Sequence, residues 1–86
     1  MNTIEGKPQI DYPCEWGYHL IGRGAGAVTV AALSAVGGRA HTLTAGHTSS
    51  KGTFVSLHLR VTVGSEEERL AIFDALRTDK AILQVL

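Results

Sequence analysis

Hydrophobic and polar residues alternate strictly between Thr53 and Val63. One parity is entirely apolar and consists of Val55, Leu57, Leu59, Val61 and Val63. The other parity consists of Phe54, Ser56, His58, Arg60 and Thr62. Alternation with a period of two is typical of a strand that has one buried and one solvent-facing side. The polar residues just before it end in Gly52, which predicts a hairpin turn that leads into this strand.

Two other segments follow the period of an α-helix. Residues 25–36 carry no charge, and Gly37 ends this helix because glycine readily adopts a left-handed conformation. Its predicted buried stripe is Val28, Ala31, Ala32, Ala35 and Val36. The second helix begins after Ser65, a good N-cap, with Glu68 at the position of a capping-box partner, and ends near residues 78–79. The uncharged first helix suggests that a partner covers its outer side.

Three weaker patterns complete the order of elements. Residues 16–22 predict a first strand, residues 39–47 an edge strand with a weak pattern, and residues 81–86 a short last strand. The order βαββαβ predicts a ferredoxin-like α+β sandwich, in which two helices cover one face of a four-stranded antiparallel sheet. Residues 1–13 have no sustained period, so we expect an extended or mobile lead-in before a single domain at 14–86.

Size and charge exclude several classes of protein. A chain of 86 residues forms one small domain with a modest core. Eight basic and eight acidic residues cancel, whereas phosphate contacts give nucleic-acid binders a basic surface. The first residues are polar, and the longest apolar stretch is far shorter than the roughly 20 residues that cross a bilayer. With a single cysteine, these features predict a cytoplasmic protein that makes no contact with membranes.

Two motifs, at residues 12–22 and 49–56, connect the chain to a known family. The first reads Tyr-Pro-Cys-Glu-Trp-Gly-Tyr-His-Leu-Ile-Gly and the second Ser-Ser-Lys-Gly-Thr-Phe-Val-Ser. They resemble the aromatic opening strand and the Ser-Ser-Lys-Gly hairpin of the YbeD-like family, which comprises small uncharacterised bacterial proteins. The resemblance implies a ferredoxin-like fold similar to ACT regulatory domains, and no established activity. Residues 25–36 depart from the charged amphipathic helix of that family.

The glycine-rich connection at residues 22–26 lies where a helix amino terminus attracts anions. Its G-x-G-x-G spacing matches neither the dinucleotide fingerprint nor the nucleotide phosphate loop, so a flexible connection is the simpler interpretation. In ACT-like domains the turn between the first strand and the first helix lines a ligand site, often at a dimer interface. The resemblance therefore implies that Arg23, Gly24 and Ala25 contact a small anionic metabolite.

The four histidines are the other candidates for chemistry. None has the helical spacing of a metal motif, although His58 lies on the solvent-facing side of its strand and His41 could lie near it on the next strand. A small metal-binding protein or enzyme that uses His41 and His58 is therefore one alternative. The residues Ser49, Ser50 and Lys51 are interpreted as turn chemistry rather than as a catalytic pair.

These observations predict a non-enzymatic regulatory or interaction module that needs no cofactor. It would bind a small metabolite, a partner protein or a second copy of itself. The expected interaction residues are Phe54, His58 and Arg60, which share the solvent-facing side of one strand. The edge strand at 39–47 is a natural site for strand pairing.

Single-stranded RNA binding on the sheet is the third hypothesis. In RNA-recognition domains of this topology, two or three aromatic side chains on the central strands stack on bases. Phe54 would be one of them, and Trp16 or Tyr18 another. No basic-Gly-aromatic motif accompanies them, so nucleic acid ranks last among the expected partners.

Overall fold

The computed structural model describes residues 10–48 and 54–86, and within them the predicted order of elements is confirmed. The elements are β1 (Cys14–Gly22), α1 (Ala25–Val36), β2 (His41–Thr48), β3 (Val55–Val63), α2 (Glu66–Thr78) and β4 (Ile82–Val85). The strands form one antiparallel sheet in the order β2-β3-β1-β4, which is the predicted ferredoxin-like α+β fold. The first nine residues of the expected lead-in and the predicted turn residues 49–53 lie outside the described residues.

The strand ends differ from the predicted ones by at most two residues. β1 already begins at Cys14, because the ladder with β3 extends to a pair between Cys14 and Val63. β2 begins at His41 rather than Arg39 and is an edge strand, as predicted. Cross-strand hydrogen bonding, which a single-strand pattern does not contain, fixes these limits.

The core lies between one face of the sheet and the two helices. The apolar parity of β3 faces it, with Leu57, Leu59, Val61 and Val63 buried. From α1 it receives Val28, Ala31, Ala32 and Val36, whereas Ala35 is half-buried. From α2 only Ile72 and Leu76 are buried, and Leu70 and Phe73 are 48% and 39% exposed. Leu70 and Phe73 share helical spacing with the buried Leu76, but spacing alone does not bury them.

The capping of α2 also ties the loops together. Ser65 Oγ accepts a hydrogen bond from the Glu68 amide at 3.2 Å, as predicted. The Glu68 carboxylate accepts from the Gly64 amide at 2.9 Å, one residue before the N-cap, and pairs with Arg39 at 3.2 Å. The Gly64 amide, and then Arg39, hold the pKa of Glu68 below its usual value. The start of α2 is thereby joined to the segment between α1 and β2.

Gly22 allows the end of β1 to lie close to two other elements. It is buried, and the pairing register between β1 and β4 shifts between Ile21 and Gly22. A Cβ atom at this position would overlap with the Ala81 carbonyl oxygen and with Val28 Cγ2. Only glycine therefore fits here without a movement of α1 or of the backbone before β4. None of the helices in the described ranges is long and apolar enough to cross a membrane.

Candidate functional site on the open sheet face

Both helices cover one face of the sheet, and we call the opposite side the open face. The register aligns its side chains in rows across the strands. One row contains Thr44 of β2, His58 of β3 and His19 of β1. The next row contains Thr42, Arg60 and Gly17. His58 and Arg60 thus lie at the centre of this face, as their parity in the sequence indicates.

His19 and His58 are directly opposite one another and their rings stack. The ring centroids are 4.2 Å apart, with an interplanar angle of 23°. The His19 amide and carbonyl both bond to Leu86, on the side away from β3. His19 and His58 therefore form a non-hydrogen-bonded pair, the type of antiparallel pair in which side chains lie closest. Backbone geometry accordingly explains the stack.

Ser56 and Gly46 adjoin the stacked rings. His19 Nε2 and Ser56 Oγ are hydrogen-bonded at 2.5 Å. A Cβ atom at Gly46 would lie 2.9 Å from Ser56 Oγ and 3.0 Å from two atoms of the His58 ring. The absence of a side chain at Gly46 therefore makes room for both groups. The result is a cluster of two imidazoles and a hydroxyl on adjacent strands.

A shallow depression of about 570 Å³ opens over this cluster. The residues that line it include Gly17, His19, Thr44, His58, Arg60 and Leu86. Gly17 has open space where its side chain would be, since no atom lies within 4 Å of a Cβ placed there. The volume of the depression is in the range of small-molecule sites, which span about 300–1,000 Å³.

Within the four strands, one arginine and one glutamate lie on the open face, Arg60 and Glu15. Arg60 pairs with Glu15 at 3.3 Å, but both side chains are more than half exposed, so this pair contributes at most about 1 kcal/mol. Glu15 is the only acidic residue in the four strands as the structure describes them. At the other end, the Arg23 guanidinium lies 5.9 Å from the Phe54 ring centroid. Arg23 and Arg60 are therefore the arginines that an anion on this face can meet.

The predicted ligand residues of the strand–helix turn adjoin the same surface through Arg23. Gly24 is the N-cap of α1 and has no side-chain cap, and Ala25 is the first residue of the helix. Phe54, 40% exposed, immediately precedes β3. The structure thus brings together Arg23 and Phe54, two residues that no sequence pattern connects. The roles of Arg23, Gly24, Ala25 and Phe54 in binding stay predictions.

The predicted pair of His41 and His58 is wrong. The register places His41 opposite Val61, whose side chain is buried on the helix side, whereas His58 is opposite Thr44 on the open face. The two histidines therefore lie on opposite faces of the sheet. His41 Nδ1 instead bonds to the Arg39 carbonyl oxygen at 2.9 Å. Residues 10–48 and 54–86 contain no group of three or more potential metal ligands.

Trp16 and Tyr18 are also on the helix side of β1, so neither joins Phe54 on the open face. Tyr18 is 5% exposed and its hydroxyl donates to the Arg69 carbonyl oxygen at 2.7 Å. Burial raises the pKa of Tyr18, with a smaller opposing effect of Arg69. The Trp16 ring lies 4.4 Å below the Arg69 guanidinium. This arrangement removes the second aromatic that the RNA hypothesis required.

Sequence reasoning missed two members of the cluster: His19, which stacks on His58, and Ser56, which is hydrogen-bonded to His19. The available signal was parity, because Glu15, Gly17 and His19 alternate with the apolar residues of β1. The hydrogen bond between Ser56 and His19 is half of a nucleophile–base arrangement. Among the described residues, no carboxylate bonds to the other nitrogen of His19. Within the described residues, the Ser56–His19 pair therefore has no carboxylate that orients the base.

Comparison with known proteins places the chain in a family. Residues 7–86 match the family described as "Protein of unknown function (DUF493)". The chain belongs to this family. YbeD is a DUF493 member, so the resemblance found in the sequence is confirmed at the level of the family. No curated protein matches the sequence.

Two solved structures are similar over the whole chain. A solution structure of protein HP0495 from H. pylori is 27% identical, with a TM-score of 0.83, and the match covers 100% of this chain and 94% of that one. A second solution structure, titled hypothetical protein HP0495 from Helicobacter pylori, is 30% identical, with a TM-score of 0.66 and full coverage of both chains. These similarities support the DUF493 fold and carry no activity with them.

Proposed function

We propose that this DUF493 protein is a non-enzymatic regulatory module that binds a small anionic metabolite on the open face of its sheet. The observation that carries the proposal is the His19–His58 stack at 4.2 Å, at the centre of a depression of about 570 Å³. Its resemblance to ACT-like regulatory domains, which bind small ligands, supports the same function.

The groups around the stack are suited to carboxylate or phosphate oxygens. The two imidazoles and the Ser56 and Thr44 hydroxyls can donate hydrogen bonds. Arg60 lies in the next row and is held only by an exposed ion pair, so a ligand can compete for it.

Calorimetric titration and thermal denaturation test the proposal with monocarboxylates, dicarboxylates, inorganic phosphate and nucleotides, at about pH 6 and pH 8. A ligand at ten times its dissociation constant stabilises the fold by about 1.4 kcal/mol, which raises Tm by about 5–10 °C for a domain of this size. We expect at least one anion to produce this shift.

His41→Ala is a matched control for His58→Ala, because His41 is an exposed strand histidine on the other face. His58→Ala should remove the ligand-induced shift, and His41→Ala should retain it. Equal effects of the two substitutions, or no shift with any anion, would contradict the proposal.

The Ser56–His19 hydrogen bond favours a second candidate, hydrolysis of an activated ester through Ser56. A fluorophosphonate probe tests it, because such probes label serines that are activated as nucleophiles. Labelling that is lost in Ser56→Ala and in His19→Ala would replace the binding proposal by an enzymatic one. An unlabelled wild-type protein would eliminate this candidate.

A further inference from the structure

One side of β1 is only partly covered by β4. β4 pairs with residues 20–22 of β1, and Leu86 adds two backbone hydrogen bonds to His19. β1 itself begins at Cys14, so no described strand lies beside residues 14–18 on this side. Strand residues alternate in the direction of their amides and carbonyls, and those of His19 point towards β4. Those of Glu15 and Gly17 therefore point to the same side, where no described strand receives them.

An apolar groove lies beside this uncovered edge. It has a volume of about 330 Å³ and is lined by Trp16, Gly17, Tyr18, Arg69, Leu70, Phe73 and Leu86. Three of these are large hydrophobic residues with unusually exposed side chains: Leu70 at 48%, Phe73 at 39% and Leu86 at 63%. Solvent-exposed apolar side chains that converge on one groove mark a contact surface. An added strand would direct alternate side chains into it, since Trp16 and Tyr18 face that side of the sheet.

The groove also contains a cation. The Arg69 guanidinium lies 4.4 Å from the Trp16 ring centroid, and its Nε donates to the Tyr12 hydroxyl at 3.2 Å. The ion pairs among the described residues join other arginines to carboxylates, and Arg69 is in none of them. A carboxylate that entered the groove above Trp16 would complement this charge.

We propose that this edge binds an extended segment of a partner protein, which adds as a fifth strand beside residues 14–18 and directs an apolar and an acidic side chain, two residues apart, into the groove. Backbone groups of Glu15 and Gly17 supply the strand pairing, as in other cases of strand addition. Trp16, Leu70 and Phe73 receive the apolar side chain, and Arg69 receives the carboxylate. The groove lies on the helix side of the sheet. Binding there would be a second function, separate from the one proposed for the open face.

The chain's single tryptophan lies in the groove and reports binding directly. The probe is a blocked octapeptide in which threonine alternates with leucine and one central leucine is replaced by glutamate. We expect saturable changes in Trp16 fluorescence and, by NMR, slower amide exchange of Glu15 and Gly17. Replacing the glutamate of the peptide by lysine should weaken binding at least about tenfold. Arg69→Gln should abolish that preference.

Two controls distinguish strand addition from nonspecific hydrophobic binding. N-methylation of alternate amides of the peptide removes its hydrogen bonds to β1 and should abolish binding. Phe73→Asp should weaken binding at least about tenfold, whereas Leu33→Asp, at an exposed apolar position on α1, should leave it unchanged. The changes made to the peptide need no protein variant and are independent of folding.

Several results would overturn the proposal. Retained affinity of the N-methylated peptide, or equal binding by Phe73→Asp and wild type, would show that no strand adds at this edge. Binding that appears only after residues 1–9 are deleted would assign the edge to the chain's own first residues. A concentration-dependent dimer that the peptide displaces would assign it to a second copy.

Discussion

Replacing Gly22 by alanine should destabilise the protein strongly, although the change adds a single methyl group. The added Cβ would overlap with the Ala81 carbonyl oxygen and with Val28 Cγ2. Val28 is fully buried in α1, and a valine in a helix has one strongly preferred rotamer. The first overlap is with backbone, so a side-chain rotation cannot relieve it.

The expected magnitude follows from these contacts. Overpacking of a well-packed core costs about 1–3 kcal/mol, which includes the off-rotamer side chains and backbone shifts that it forces. The two simultaneous overlaps, one of them with backbone, place Gly22→Ala at the upper end of that range. Replacing glycine restricts the unfolded chain, which returns about 0.4–1 kcal/mol. The net loss is therefore about 2–3 kcal/mol for Gly22→Ala. For a domain of this size, that corresponds to a decrease in Tm of about 10–20 °C.

Urea denaturation followed by circular dichroism measures the effect. Gly17→Ala is the matched control on the same strand, because no atom lies within 4 Å of a Cβ at that position. We expect its free energy of unfolding to be unchanged or raised by up to about 1 kcal/mol. A Gly22→Ala protein within about 0.5 kcal/mol of wild type, with an unchanged denaturant slope, would refute the reasoning.

Three further substitutions test the capping and burial described above. Ser65→Ala removes the acceptor for the Glu68 amide and should lower the unfolding free energy by about 1 kcal/mol; a loss below about 0.3 kcal/mol in urea denaturation would contradict this. Glu68→Gln should lower Tm near pH 7, because a carboxylate whose folded-state pKa is lowered stabilises the fold above its unfolded-state pKa. That contribution is lost as pH falls through the folded-state pKa, so the difference in Tm from wild type should shrink as the pH is lowered, and a difference that stays constant would count against it. Tyr18→Phe leaves the Arg69 carbonyl without its donor and should cost about 1 kcal/mol, and an unchanged denaturation midpoint would show that water replaces the hydroxyl.

The sequence predicted the fold well because its local signals agree with one another. The alternation in β3 placed His58 and Arg60 on one face of the strand and the buried Leu57 and Leu59 on the other face. The glycine after α1 has a positive φ of 62°, as its position at the helix end indicated. Which apolar residues of α2 are buried was less predictable, because Leu70 and Phe73 have helical spacing to Leu76 and are nevertheless exposed.

The candidate site was less predictable, because it depends on register between strands that are distant in sequence. Whether His41 and His58 share a face depends on the pairing register between β2 and β3. A shift of that register by one residue moves every side chain of a strand to the other face of the sheet. His19 lies opposite His58 for the same reason, and no property of either strand alone selects that pair. Parity identifies the face of each residue, whereas only the assembled sheet identifies its neighbours.

The open-face cluster is built from both halves of the chain. His19 comes from the first strand–helix–strand unit, and Ser56, 37 residues later in the sequence, comes from the second. Neither unit contains the site, so during synthesis it can form only after β3 has been translated and has paired with β1. A ligand held between these strands would join the two units and slow their separation. Such a ligand would therefore prolong the lifetime of the folded chain as well as report that folding is complete.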